Sequence, residues 1–389
     1  MLRIVTGLLV SAAASAAAGS ALLPEHEARL AVDPDSPALL SNPTLRQRLA
    51  AGPHDYFRYV NGPFREVLCL RLGEALRAAP VVTLHGDPHL EQYAVTDRGR
   101  GLADFDDTTL GPAVLDLVRF ATSLRLAAME RGWPGAEDAV RRFLDGYAAA
   151  LRAPSPLPPQ PRLVARLRAG FDRDRNNAMA RAEALMETLP PEVAPSQEAL
   201  TRTARMLAQV SGWPESFFKV KRVGALRIGI GSAADEKYLM RIEGDSRASG
   251  DDVILEVKAV RATPAGGCVR SEPGPDRILL GSTRLAYEPF EYAGGITLEG
   301  RSFWFHAWPD NYVELDVRRD RLSPAELEEI ARDVGFQLGR GHPRAHDDPK
   351  RLRATLLKEL SREQVAALSL VMAQATTEAW QRYKERLGT

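Results

Sequence analysis

Apolar residues recur at helical spacing between Ala113 and Met129, where Val114, Leu115, Leu117, Val118, Ala121, Leu124 and Ala127 form one stripe and predict a buried helix. Gly111-Pro112 punctuates the chain just before it. Upstream, Ala79 to Leu84 is a short β-rich run ending at His85, and Gly101-Leu102-Ala103 leads from a turn at Asp97 to Gly101 into Asp104. Strict alternation over Asp252 to Val260 predicts a strand with Ile254, Glu256, Lys258 and Val260 on one face and Val253, Leu255, Val257 and Ala259 on the other. The remaining pattern predicts a helix from Asp55 to Ala78 interrupted near Gly62-Pro63, an amphipathic helix from Glu137 to Leu151, and mainly helical structure over 162–210. A β-rich stretch follows over 215–318. Ser323 caps a helix that starts with Pro324 and runs to about Arg340, and two closing helices begin at Pro349.

The short strands matter because of what they deliver. His85-Gly86-Asp87-Pro88-His89-Leu90-Glu91-Gln92 and Asp104-Phe105-Asp106-Asp107 each follow a β-rich segment, so Asp87 and Asp104 can face one cavity. One carboxylate, a carboxamide and a second carboxylate cluster suit oxygen-coordinated Mg²⁺ beside a base for a hydroxyl nucleophile. Taken singly, each run is an ordinary turn or a solvated acidic loop; the short linker and the apolar helix that follows make the pair a site. Asp116 sits inside that apolar helix, where a carboxylate needs hydrogen-bond donors, and backbone amides of the loop from His85 to Gln92 are the candidates.

Bulk properties narrow the classes. The 389 residues are 44% hydrophobic and 26% charged, an ordinary globular composition that can build a two-lobed unit or two domains. Lys plus Arg equals Asp plus Glu at 51 each, so no global field favours nucleic acid or an anionic membrane. The arginines between Arg162 and Arg181 read as the solvated side of an amphipathic helix. Cys69 and Cys268 make no disulfide framework. The His and Asp residues from His342 to Asp348 read as a helix terminator rather than a metal site. A positive start at Met1-Leu2-Arg3, an uncharged run from Ile4 to Leu23 and Ala-x-Ala sites predict an export signal. A retained anchor or an ordinary buried helix are the alternatives, so an exported, periplasmic location is expected, with membrane-anchored or cytoplasmic ones behind it.

His85-Gly86-Asp87-x-His89-x-x-Gln92, then Asp104-Phe105-Asp106, then Gly111-Pro112-x-x-x-Asp116-Leu117-x-Arg119 resembles the catalytic core of kinase-like phosphotransferases, the group containing aminoglycoside and choline kinases. More closely, the chain resembles the bacterial family called domain of unknown function 2252 over roughly residues 45 to 345. Tyr56-Phe57-Arg58, the glycine-containing Gly229-Ile230-Gly231-Ser232, Tyr238 to Gly244 and Val257-Lys258 extend the likeness. The glycine loop and lysine follow the catalytic loop here instead of preceding it, so the resemblance implies an α+β, protein-kinase-like two-lobed fold with circularly permuted lobe order. Its expected parts are a leader over 1–23, a catalytic-loop and helical lobe over 24–214, a β-rich lobe over 215–318 and closing helices over 319–389.

That resemblance implies roles. His85, Asp87 and Asp116 are the expected catalytic set, with Asp87 acting on an acceptor hydroxyl and Asp116 bracing the loop. Gln92, Asp104 and Asp106 are the expected Mg²⁺ ligands, and Gly229, Gly231, Ser232 and Lys258 the expected ATP contacts. The partners are then a nucleotide and a small-molecule or protein acceptor. Two departures bear on activity. Relatives carry Asn at Gln92, and a carboxamide one methylene longer must retract to reach an octahedral Mg²⁺; relatives also carry Arg-Glu at His306-Ala307, which makes His306 a pocket-lining or structural residue. An exported binding protein without catalysis and a metal-assisted phosphoester hydrolase using Asp87, Asp104 and Asp106 are the competing classes.

Overall fold

The protein is described by a computed structural model covering residues 22–188, 202, 205, 219–226 and 236–388, apart from 245, 247, 263–266, 299 and 345. It is a mixed α+β fold with three sheets. Ten strands are described: β1 Val81–Leu84, β2 Tyr93–Thr96, β3 Arg100–Leu102, β4 Thr109–Pro112, β5 Val220–Ala225, β6 Lys237–Ile242, β7 Val253–Ala259, β8 Gly294–Leu298, β9 Arg301–Ala307 and β10 Tyr312–Glu314. The helices that position the site are α1 Pro53–Tyr59, α2 Asn61–Leu72, α3 Val114–Arg131, α4 Ala136–Arg152, α5 Arg175–Ala184, α6 Asp276–Leu285, α7 Pro324–Gly341 and α8 Arg362–Leu387.

The expected helix over 55–78 is two helices broken at Val60, and Gly62-Pro63 falls in the first turn of the second, where a missing amide hydrogen costs nothing. The region expected to be β-rich also holds α6, whose amphipathic face packs Ile278 and Leu285 against Phe105 and Trp304. Ser323 does cap α7: its hydroxyl accepts from Glu326 N, and the Glu326 carboxylate accepts from Ser323 N at 3.0 Å, a reciprocal capping box.

Two separate apolar cores follow from the sequence pattern. In the helical body, Leu117, Phe120 and Leu124 of α3 pack with Phe143 of α4, Val334 of α7 and Met372 of α8. The antiparallel sheet β5-β6-β7-β9-β8 has its own, built from Tyr238, Met240, Leu255, Val257, Phe303 and Phe305. Leu255 and Val257 therefore fill one face of β7, as alternation requires, and Glu256 and Lys258 are left to the other.

Glycines set the closest helix contact. A Cβ on Gly146 of α4 would lie 2.1 Å from Arg332 O, and one on Gly335 of α7 would lie 1.9 Å from Phe143 O, so only bare backbone permits this approach. It brings Tyr147 of α4 beside His342 at the end of α7. The chain passes from β9 to β10 through Trp308 to Asn311, and β10 then pairs with β2 of the helical body. That short crossing sets the sheet over the loops that follow β1 and β3.

Cys69 of α2 is disulfide-bonded to Cys268, across 199 residues of sequence. A lone pair of cysteines is no disulfide framework in the sequence, and their separation hides a contact made only on folding.

Candidate functional site

Pairing of β1 with β4 puts the start of the His85 loop beside the residues after Asp107, and pairing of β2 with β3 puts Gln92 beside Ala103. Gly86 has φ of +87°, and a Cβ there would lie 1.8 Å from Asp107 O, so the two loops interlock through a residue that must be glycine. Asp104 itself has φ of +28°, a backbone conformation side-chain-bearing residues rarely adopt.

Asp116 holds the first loop. Its Oδ2 accepts from His85 N at 2.7 Å and its Oδ1 from Gly86 N at 3.1 Å. His342 Nε2 lies 3.2 Å from the same Oδ2, and Tyr147 Oη lies 3.0 Å from His342 Nδ1. Asp116 is buried and does not line the cavity. It is therefore a positioning residue.

Three turns of α3 act on this loop together. Arg119, one turn beyond Asp116, donates to Asp87 Oδ1 from Nε at 2.9 Å and from Nη2 at 2.7 Å, and to Phe57 O at 3.0 Å. Its guanidinium carbon sits 3.6 Å from the Phe57 ring centroid, which accounts for the Tyr56-Phe57-Arg58 element. Ser123 Oγ accepts from Leu90 N at 2.7 Å and lies 3.1 Å from His54 Nε2. Burial holds His54 well below the usual imidazole range, at about 3, so it is neutral and can accept the Ser123 hydroxyl hydrogen. Burial raises Asp87 to about 7 against the opposing pull of Arg119. With Oδ1 held by Arg119, the second oxygen, 3.8 Å from His89 Nε2, is the one a reactant can use.

Across a cavity of about 1080 Å³ stands Lys258. Its Nζ is 3.8 Å from Asp104 Oδ1, 3.6 Å from Asp106 Oδ2 and 3.9 Å from Glu256 Oε1, and 5.2 Å from the Trp304 ring centroid. Burial lowers the Lys258 pKa, but the three carboxylates outweigh it and the net direction is up. Burial likewise raises Asp104, yet the Lys258 ammonium overrides it and the net direction is down; burial together with the Asp104 charge pushes Asp106 up to about 7 despite Lys258. The two carboxyls thus share a proton more readily than two charges. Asp104 Oδ1 and Asp106 Oδ1 are buried without hydrogen-bond partners.

Asp87, Gln92, Asp104, Asp106 and Lys258 all line this one cavity. His85 does not: its ring is fully buried against Phe105 at 5.2 Å between centroids, so it packs the loop rather than meeting a reactant. This corrects its expected place among the reacting groups, because the strand before it turns the side chain inward. Gly229, Gly231 and Ser232 lie outside the described residues.

The model of the family described as an uncharacterized protein conserved in bacteria, the domain of unknown function 2252 (DUF2252), matches residues 41–209 and 195–386. The chain belongs to this family. No curated protein and no solved structure matches it.

In this DUF2252 protein the cavity also gathers Lys237, which the sequence did not single out, and Glu256 and His306, which it did not connect to each other. Lys237 is opposite Lys258 in the β6–β7 register and lines the same cavity, where burial lowers its pKa. Glu256 pairs with His306 Nε2 at 3.0 Å, and the His306 ring stacks on Phe290 at 4.1 Å. The signal for Glu256 was its position two residues before Lys258 on one strand face; the signal for Arg119 was a cation inside an apolar helix, three residues after Asp116. His342 had none, since only the α4–α7 approach brings it to Asp116.

Proposed function

We propose that the cavity is a kinase-like phosphotransferase site, on a two-lobed kinase-like fold in which the glycine loop and strand lysine follow the catalytic loop. The observation that carries the reading is the Lys258 ammonium within 3.8 Å of both Asp104 and Asp106, across the same cavity as Asp87. In the reaction, the acceptor hydroxyl oxygen bonds to the γ-phosphorus of ATP, the bond from that phosphorus to the β,γ-bridging oxygen breaks, ADP leaves, and the hydroxyl proton passes to Asp87. Arg119 fixes which Asp87 oxygen receives it. Lys258 neutralises phosphate charge.

The donor set fits Mg²⁺: two orphaned carboxylate oxygens, on Asp104 and Asp106, with the Gln92 carboxamide on the same wall. Among the described residues no group of three His, Cys, Asp or Glu side chains forms a metal cage, and Mg²⁺ commonly keeps waters and phosphate oxygens in its shell. When bound, the ion supplies charge neutralisation for the phosphates. The test is phosphorus NMR of the full chain with Mg²⁺, ATP and a panel of hydroxyl acceptors. ADP formation that requires an acceptor and vanishes in Asp87→Asn supports the reading; release of inorganic phosphate without any acceptor favours the hydrolase instead.

A second reading, an exported binding protein that uses this cleft without catalysis, is favoured by the Cys69–Cys268 disulfide. Such bonds persist in oxidising compartments, where ATP is scarce. The predicted export segment lies outside the described residues except for Leu22 and Leu23, and among the described residues no helix is long and apolar enough to cross a membrane.

A further inference from the structure

Helix α2 contributes to the lining of the cavity that Asp87 also lines. Asn61 and Arg65, one helical turn apart and so on the same face, both line it. Both are more than nine-tenths buried, with 9% of Asn61 and 8% of Arg65 exposed. Neither is satisfied: Asn61 Oδ1 and Arg65 Nη1 have no hydrogen-bond partner.

The surrounding charges make Arg65 stand apart. Arg119 is paired with Asp87 at 2.7 Å, Arg58 with Glu91, Arg318 with Asp55, and Arg48 with Asp55 at 3.5 Å. Arg65 has no carboxylate within ion-pair distance among the described residues. A buried guanidinium without a counter-charge is strongly disfavoured, and the chemistry that relieves it is an anion entering from the cavity. The Arg65 guanidinium is close enough to the Arg119 guanidinium that grips Asp87 for the two like charges to act on each other, which sets it at the same end of the cavity. Space is present too: a Cβ on Gly62, which also lines the cavity, would meet nothing within 4 Å.

We propose that Arg65 and Asn61 form an acceptor subsite that recognises a hydroxylated anion, Arg65 binding its carboxylate or phosphate ester and Asn61 Oδ1 accepting from a hydroxyl. The subsite rests on the phosphotransferase reading for its name as an acceptor site, since it places a second hydroxyl of the same molecule at Asp87. Its class is therefore a small polyol acid or polyol phosphate, and a neutral polyol lacks the group that Arg65 selects.

The experiment is calorimetric titration of the full chain, without nucleotide, with glycerol phosphate, glycerate and glycerol. Binding of one or both anions, no binding of glycerol, and a loss of about tenfold or more in affinity on Arg65→Met are expected, with Arg65→Lys retaining part of it. Which anion binds more tightly decides between phosphate and carboxylate. Asn61→Asp offers Arg65 an internal counter-charge, so it is expected to keep or raise the melting temperature while abolishing anion binding. Failure of the wild type to bind either anion, or equal binding by Arg65→Met, overturns the proposal. A parallel titration with Mg²⁺ and ATP separates the two ideas: if anions bind through Arg65 but the nucleotide does not bind, the phosphotransferase reading falls and the subsite stands.

Discussion

The two ends of the cavity are built differently. At the Asp87 end the anchoring hydrogen bonds are short and internal to the helical body, with Asp116 accepting loop amides at 2.7 and 3.1 Å and Arg119 gripping Asp87 at 2.7 and 2.9 Å. At the other end the sheet's Lys258 faces Asp104 and Asp106 at 3.8 and 3.6 Å, beyond hydrogen-bond reach, and the Asp104 side chain is 38% exposed. Orphaned polar atoms mark both ends, but at the Lys258 end they are the charged oxygens themselves. One end is preformed as part of the fold. At the other, charges on the sheet and on the helical body face each other at ion-pair distance without hydrogen bonds.

Substitutions should separate the two. Arg119→Met removes the counter-charge of a buried carboxylate and should destabilise the protein by about 3–5 kcal/mol in chemical denaturation. Arg119→Lys should recover only part of that, because an ammonium cannot make both contacts to Asp87 Oδ1 and also lie flat on Phe57. A loss below about 1 kcal/mol for Arg119→Met would erase the contrast between the ends.

Asp116→Asn comes next in size. An amide keeps one acceptor oxygen where the carboxylate offers two, and it turns donor hydrogens toward His85 N, Gly86 N or His342. A cost of about 1–3 kcal/mol is expected. The Asp87 amide environment, followed by NMR, should change with it, since the loop loses an anchor.

The smallest effect of this group is the pH response of His54. Its folded pKa of about 3 lies below its unfolded value of 6.5, so the folded state binds fewer protons in that window. The stability it contributes is present above 6.5 and is lost as pH falls toward 3, at about 1.4 kcal/mol per pH unit for one proton. Buried His89 is also held well below its ordinary range and adds to the slope in the same direction. Denaturation at pH 7 and pH 5.5 should show His54→Gln flattening this response; an unchanged slope would mean that His54 is charged or solvated in the folded state.

How legible this was in the sequence depends on the kind of contact. Helix α3 and strand β7 were readable because one face of each is apolar, and the alternation placed Lys258 and Glu256 together before any fold was known. That Asp87 and Asp104 line one cavity was readable because short strands lead directly into both. Asp116 was readable as a carboxylate in need of donors, though not its partner His342, which depends on the glycine-mediated approach of α4 and α7. The disulfide and the Asn61–Arg65 wall were invisible for a similar reason: α2 meets its neighbours through residues far away in sequence, and an arginine on a helix gives no sign of whether a carboxylate will face it. The break at Val60 was misplaced because Gly-Pro is as compatible with a helix start as with an interruption.

Thermal unfolding of the full chain with Mg²⁺ and ATP, beside Lys258→Met, most directly tests whether Lys258, Asp104 and Asp87 frame one polyphosphate site. The account predicts that the nucleotide raises the wild-type melting temperature only when Mg²⁺ is present, and that Lys258→Met, measured against its own ligand-free melting temperature, gains nothing from it. Equal stabilisation of wild type and Lys258→Met by the nucleotide, or none of the wild type at millimolar concentration, would contradict it.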